Sequence, residues 1–280
     1  MHRFDYSEIL DDLPEEIIYL LNSIKKVRSH AERRIEEEQT NCVRMKKVAR
    51  LESIQFSNEI EGITVPYKRF REIAEHGNDP QDDSAEREIA GYRDALDLID
   101  KGSSNLGFDC ETILDLHSML NSVGSDRHAF KNVDNAIVGV DSHGRTHFVF
   151  LPVRAAETED HMQQLCKAYS ELSRQNYEPL LYIPCIILDF LSIHPFPDGN
   201  GRMSRLLTMM LLYNEGIDVC RFVSMDRQIY RTRSLYYRSL HESSEGWIEN
   251  DWTYIPFIRY FLSTLLDCYC ELEYNMDIEP

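Results

Sequence analysis

The stretch "LLYIPCIILDFLSIHPFPDGNGRMSRLLTMMLLYNEG", Leu180 to Gly216, sets two apolar runs around a polar turn. The first run, Leu180 to Ile193, is too short for a membrane span, carries Asp189 and is interrupted by Pro184, so it predicts a buried helix. The second, "RMSRLLTMMLLYNEG", has helical apolar spacing and stops at Gly216, a residue suited to ending a helix. Between them stands "HPFPDGNGRMSR", His194 to Arg205, where one His, one carboxylate, two glycines around an Asn and two Arg share a short window.

The rest of the chain is mostly helical in pattern. Leu13–Glu38 has helical spacing and acidic residues at its start. Further helices are predicted over about Val43–Glu61 with Gly62 as a C-terminal cap, Ala85–Asp100, Asp109–Ser122, about Thr158–Arg174, and across "DRQIYRTRSLYYRSLHESS" and "DWTYIPFIRYFLSTLLDCYCELEY". One region departs from this. "NAIVGV" and "THFVF" are β-like runs joined by "DSHGR", Asp141 to Arg145, which predicts one hairpin. The expected fold class is all-α with a single β-hairpin.

Composition narrows the function. The 280 residues allow one large domain or two small ones, and 42% hydrophobic content supports a real core. The formal net charge of −18 argues against a nucleic acid partner, which needs a basic footprint. The N-terminal "MHRFDYSEIL" lacks the apolar core of a signal peptide, and no run is long enough for a membrane span; a cytoplasmic location is expected. The seven cysteines are odd in number and contain no pair of CxxC motifs, so they are expected to be reduced structural thiols.

The turn has a chemistry of its own. Gly199 and Gly201 permit backbone angles and close approach that a side chain would block. They lie where loop becomes helix, and the N–H groups of a helix start form an anion site. Asn200 can fix the turn. Arg202 and Arg205 are three apart on one helical turn and add permanent charge suited to phosphate oxygens. Asp198 offers a hard oxygen to Mg²⁺, which needs few protein carboxylates when phosphates supply the rest. His194 can accept a proton near neutral pH. The sum is a site for a polyphosphate with Mg²⁺ and a base beside it. It is neither a Walker loop nor a Rossmann fingerprint.

"HPFPDGNGRMSR" resembles the Fic family, whose signature HPFx[DE]GNGRxxR it matches at every defined position. The resemblance implies a helical bundle with a β-hairpin flap beside the site. It implies AMP transfer from ATP to a Ser, Thr or Tyr hydroxyl of a protein, with release of pyrophosphate. His194 then corresponds to the base, Asp198 to the Mg²⁺ ligand, Gly199, Asn200 and Gly201 to the phosphate-holding turn, and Arg202 and Arg205 to phosphate-binding arginines, Arg205 meeting the γ-phosphate. "YYRSL" resembles a segment beside the nucleotide base, which makes Tyr236 and Tyr237 candidates to line the adenine pocket, with core packing as the other reading of either ring. Ser244 stands where some relatives carry an Asn.

Family members are often held off by an inhibitory helix carrying [ST]xxxE[GN], and "SNEIEG", Ser57 to Gly62, fits that pattern. Ser57 and Glu61 are four apart and share a helix face. The resemblance implies that Glu61 pairs with Arg205 and denies it to the γ-phosphate. The expected organisation is N-terminal helices over residues 1–108 including the inhibitory helix at about 43–62, a catalytic core over 109–246 and a supporting helix over 247–280. The expected partners are ATP and a protein target, with the chain itself as one candidate target and homo-oligomerisation open. A bifunctional or de-AMPylating enzyme, transfer of another phosphate-linked group, and a non-catalytic nucleotide-binding regulator are the alternatives.

Overall fold

The computed structural model describes residues 2–6, 13–77, 80, 83–102, 106–120, 128–140, 146–175 and 177–277. In chain order these contain α1 (Glu15–Glu37), α2 (Gln39–Ile60), α3 (Tyr67–Ala74), α4 (Ser84–Gly102), α5 (Cys110–Leu120), β1 (Ile137–Val140), β2 (Thr146–Phe150), α6 (Ala155–Arg174), α7 (Pro179–Ile193), α8 (Asn200–Asn214), a 3₁₀ turn (Val219–Arg221), α9 (Met225–Arg231), α10 (Arg233–Ser244) and α11 (Ile255–Asp277). No helix among the described residues is long and apolar enough to cross a membrane.

Helices α7 and α8 form the centre. Nearly every residue of both is buried; α7 is apolar on nearly all sides, while α8 also buries Asn200, Arg202 and Arg205. Pro179 opens α7 at its first turn, where a missing N–H costs nothing. Around this pair, α6 and α11 pack on α7, while α2 and α4 pack on α8. The long α11 also lies along α1 and α10, which ties the two ends of the chain together.

Asp189 is the charge that the apolar run carries, and it is fully buried. Its carboxylate accepts from Tyr6 Oη at 2.6 Å, Trp247 Nε1 at 2.7 Å and Tyr254 Oη at 2.9 Å. Burial still wins over these donors and pushes its pKa up to about 7. The segment 2–6 docks here: His2 stacks on Trp247 with centroids 3.8 Å apart.

The strands β1 and β2 pair antiparallel, Ile137 opposite Phe150 and Val140 opposite Thr146, with one register irregularity after Ile137. β2 packs against α10. The expected turn Asp141–Arg145 lies outside the described residues. The run "DRQIYRTRSLYYRSLHESS" is two helices, interrupted at Thr232, whose hydroxyl bonds back to Gln228 O at 2.8 Å.

Candidate active site

The loop between α7 and α8 is built to hold one shape. His194 caps α7 in the left-handed region, φ 52°, a conformation costly for a non-glycine residue. Gly199 precedes α8 with φ 84°. Asn200 closes the turn on itself: its Oδ1 accepts from Phe196 N at 3.0 Å and its Nδ2 donates to Phe196 O at 2.7 Å. His117 of α5 stacks on Phe196, rings 3.6 Å apart and 5° from parallel, and its Nε2–H donates to Asp198 O at 3.0 Å.

His194 Nδ1–H donates to Leu191 O at 3.3 Å, since a carbonyl can only accept. That fixes the tautomer and leaves Nε2 with its lone pair. Burial lowers the pKa to about 4, with Lys131 adding to the shift and Glu61 and Asp198 opposing it. The ring is neutral at neutral pH, the state a proton acceptor needs.

Arg205 is held by the end of α2. Its Nε donates to Ser57 Oγ at 2.7 Å, and its Nη2 donates to Ser57 O at 2.8 Å and Glu61 Oε1 at 2.8 Å. Asp226 of α9 stands 3.6 Å from Nε. The guanidinium is 3% exposed, the Glu61 side chain 33%. Glu61 is the C-cap of α2, and Gly62 follows with φ 77°. A Cβ on Gly201 would come within 2.2 Å of Glu61 Oε1, so Gly201 is the gap through which the carboxylate reaches the start of α8.

His194, Gly201, Arg205, Glu61, Tyr236 and Tyr237 line one cavity of ≈ 560 Å³. Ser244 and His241 of α10 line it too, as do Ile137 and Phe150 from the two strands. Tyr236 is buried and Tyr237 half exposed, rings 5.4 Å apart. Arg202 is separated from this set. It is 1% exposed, Nη2 sits 2.8 Å from Glu88 of α4 and 3.8 Å from Asp198, and Nε and Nη1 are buried without a hydrogen-bond partner among the described residues. Asp198 is 79% exposed at the mouth of the loop.

Several residues of this arrangement had no signal in the sequence. Lys131 and Asn135 bind the loop from the segment before β1. Glu88 and Asp226 are ordinary helical acids until the fold sets them beside Arg202 and Arg205.

Residues 107–212 match the profile of the Fic/DOC family. Residues 107–212 form a Fic domain. Curated relatives named protein adenylyltransferase Fic match over more than the domain. One from Drosophila persimilis is 28% identical over 94% of this chain and 47% of its own length. One from Drosophila melanogaster is 28% identical over 80% of this chain and 42% of its own. The chain thus spans less than half of these relatives. Among solved structures, a Fic domain containing signaling protein from Bacteroides thetaiotaomicron aligns with TM-score 0.75 and 18% identity, covering 92% of this chain and 100% of that one. Fic-1 from C. elegans aligns with TM-score 0.72 and 19% identity, covering 92% and 73%. These likenesses extend the fold beyond the Fic domain, to the helices that precede and follow it.

Proposed function

We propose that this Fic protein is an autoinhibited protein adenylyltransferase, moving AMP from ATP to a protein hydroxyl. The observation that carries the reading is the Glu61–Arg205 pair beside Gly201, in the same cavity as a neutral His194. The names of the curated relatives support it.

In this reading the N–H groups at the start of α8 and Arg205 hold the phosphates. The hydroxyl oxygen forms a bond to the α-phosphorus as its bond to the bridging oxygen of pyrophosphate breaks. The hydroxyl proton passes to His194 Nε2. Asp198 is suited to Mg²⁺, since its carboxylate is exposed and only loosely tied, at 3.8 Å, to Arg202. Bound there with the triphosphate, the ion would neutralise charge on the leaving group. Tyr236, Tyr237 and Ser244 form the wall for the base. Arg202 reaches a phosphate only when Glu88 releases it; otherwise it braces the loop from behind.

Glu61 accounts for the inhibition. While it holds Arg205, the γ-phosphate has no counter-charge, and ATP binds out of line. Glu61→Gly is expected to raise ATP-dependent labelling of protein, and His194→Ala in that background to abolish it. Tight ATP binding with no labelling in either variant would support a non-catalytic regulator instead. Glu61 also lines the cavity with His194 and is partly exposed, which supports a second reading: its carboxylate orienting a water to remove AMP from a modified target. A cytoplasmic location completes the proposal.

A further inference from the structure

We propose that Lys131 and Asn135 are positioning residues for His194, fixing the backbone of the catalytic loop at four consecutive carbonyls. The inference rests on the transferase reading above. The last carbonyls of a helix lack intrahelical partners, and the negative end of the dipole gathers there. Here every carbonyl from Ile193 to Phe196 receives a donor from the segment before β1. Lys131 Nζ donates to Ile193 O at 3.0 Å, and Lys131 N donates to Pro195 O at 2.8 Å. Asn135 Nδ2 donates to Phe196 O at 3.0 Å and to His194 O at 3.4 Å. Lys131 Nζ also donates to Asn135 Oδ1 at 2.8 Å, so the two side chains brace each other.

The need is plain from the backbone. His194 sits at φ 52°, and such a conformation persists only where its surroundings over-determine it. Pro195 has no N–H to help. Lys131 is 3% exposed, a burial few lysines accept without a task. Its ammonium places positive charge beside the imidazole and favours the neutral ring. The groups facing His194 are Lys131 from this segment, Glu61 from α2, Asp198 from the loop, Arg205 from α8, and Tyr236, Tyr237 and His241 from α10. Lys131 is the one that also holds the backbone on either side of His194, at Ile193 O and Pro195 O. Asn135 lies two residues before β1, so the clamp joins the strand pair to the base.

The test compares Lys131→Met, Lys131→Arg and Asn135→Ala in the Glu61→Gly protein. Rates of labelling are read against ATP concentration and pH, and the His194 imidazole is titrated by NMR in the unlabelled protein. In Lys131→Met the expected results are a fall in kcat of about 10²-fold, an ATP KM close to the parent's and a His194 titration moved to higher pH. Lys131→Arg restores most of the rate, and Asn135→Ala lowers kcat without moving the titration. A folded Lys131→Met with parental kcat and parental titration would overturn the clamp. If Lys131→Met does not fold, Asn135→Ala at full kcat overturns it. If the Glu61→Gly parent labels nothing, the transferase reading fails, while the titration still decides whether Lys131 holds the ring.

Discussion

Arg202 and Arg205 stand three residues apart on one helix, both buried, each paired to a carboxylate at 2.8 Å. Their surroundings give them opposite roles. Arg202 faces away from the cavity, toward Glu88 in the second turn of α4, an element packed along α8. Arg205 faces the cavity, and its partner is the C-cap of α2, partly in solvent and followed by a glycine. A carboxylate held inside a packed helix is a fixture. A carboxylate at a helix end can leave by fraying one turn, and Arg205 would then still have Ser57 and Asp226 beside it. Arginines of one motif are thus divided into a brace and a latch by what the rest of the chain sets opposite them.

That division can be broken or sharpened experimentally. The largest effect should come from the base itself: His194→Ala is expected to lower transfer by about 10²–10⁴-fold, read as label on protein. Next, Glu88→Ala should cost about 3 kcal/mol of stability, read by chemical denaturation, because it strands the buried Arg202 charge. Glu61→Ala should cost far less, since other groups still hold Arg205; equal losses would erase the distinction between brace and latch. Glu61→Gly should raise transfer by roughly 5–150-fold, the usual range for one regulatory coupling. The smallest expected effect is on pH. His194 has a folded pKa of about 4, below its unfolded value of 6.5, so the unfolded chain takes up the proton first. Its contribution to stability is present above pH 6.5 and is lost as pH falls toward 4. The rate should be flat with respect to this group from pH 6.5 to 8, and an acidic limb near 6.5 in the Glu61→Gly protein would contradict the buried, neutral base.

The parts legible in the sequence were the local ones. "HPFPDGNGRMSR" carries loop, turn and helix start within one window, so its glycines, Asn200 and His194 could be read directly. Ser57 and Glu61 were picked out by the resemblance of "SNEIEG" to a family motif, and four-residue spacing adds only that they share one face. Arg202 looked equal to Arg205, because spacing cannot say which face a neighbouring helix will cover; the pairing with Glu88 is tertiary. The clamp was invisible for the same reason, since nothing in Lys131 or Asn135 indicates that a loop sixty residues on will bring its carbonyls to them. Asp189 announced itself as a charge in an apolar run, but Tyr6, Trp247 and Tyr254 come from both ends of the chain. The break at Thr232 is a hydroxyl bonding back to the preceding turn, which helical periodicity does not register.

In the proposed mechanism Glu61 is the latch on a working site. Its most direct test is the intact mass of the Glu61→Gly protein after incubation with ATP and Mg²⁺, beside the unaltered chain and the Glu61→Gly, His194→Ala double variant. The prediction is a gain of one or more AMP units on Glu61→Gly, much less on the unaltered chain and none on the double variant. Equal masses for Glu61→Gly and the unaltered chain, or a gain that survives the loss of His194, would contradict it.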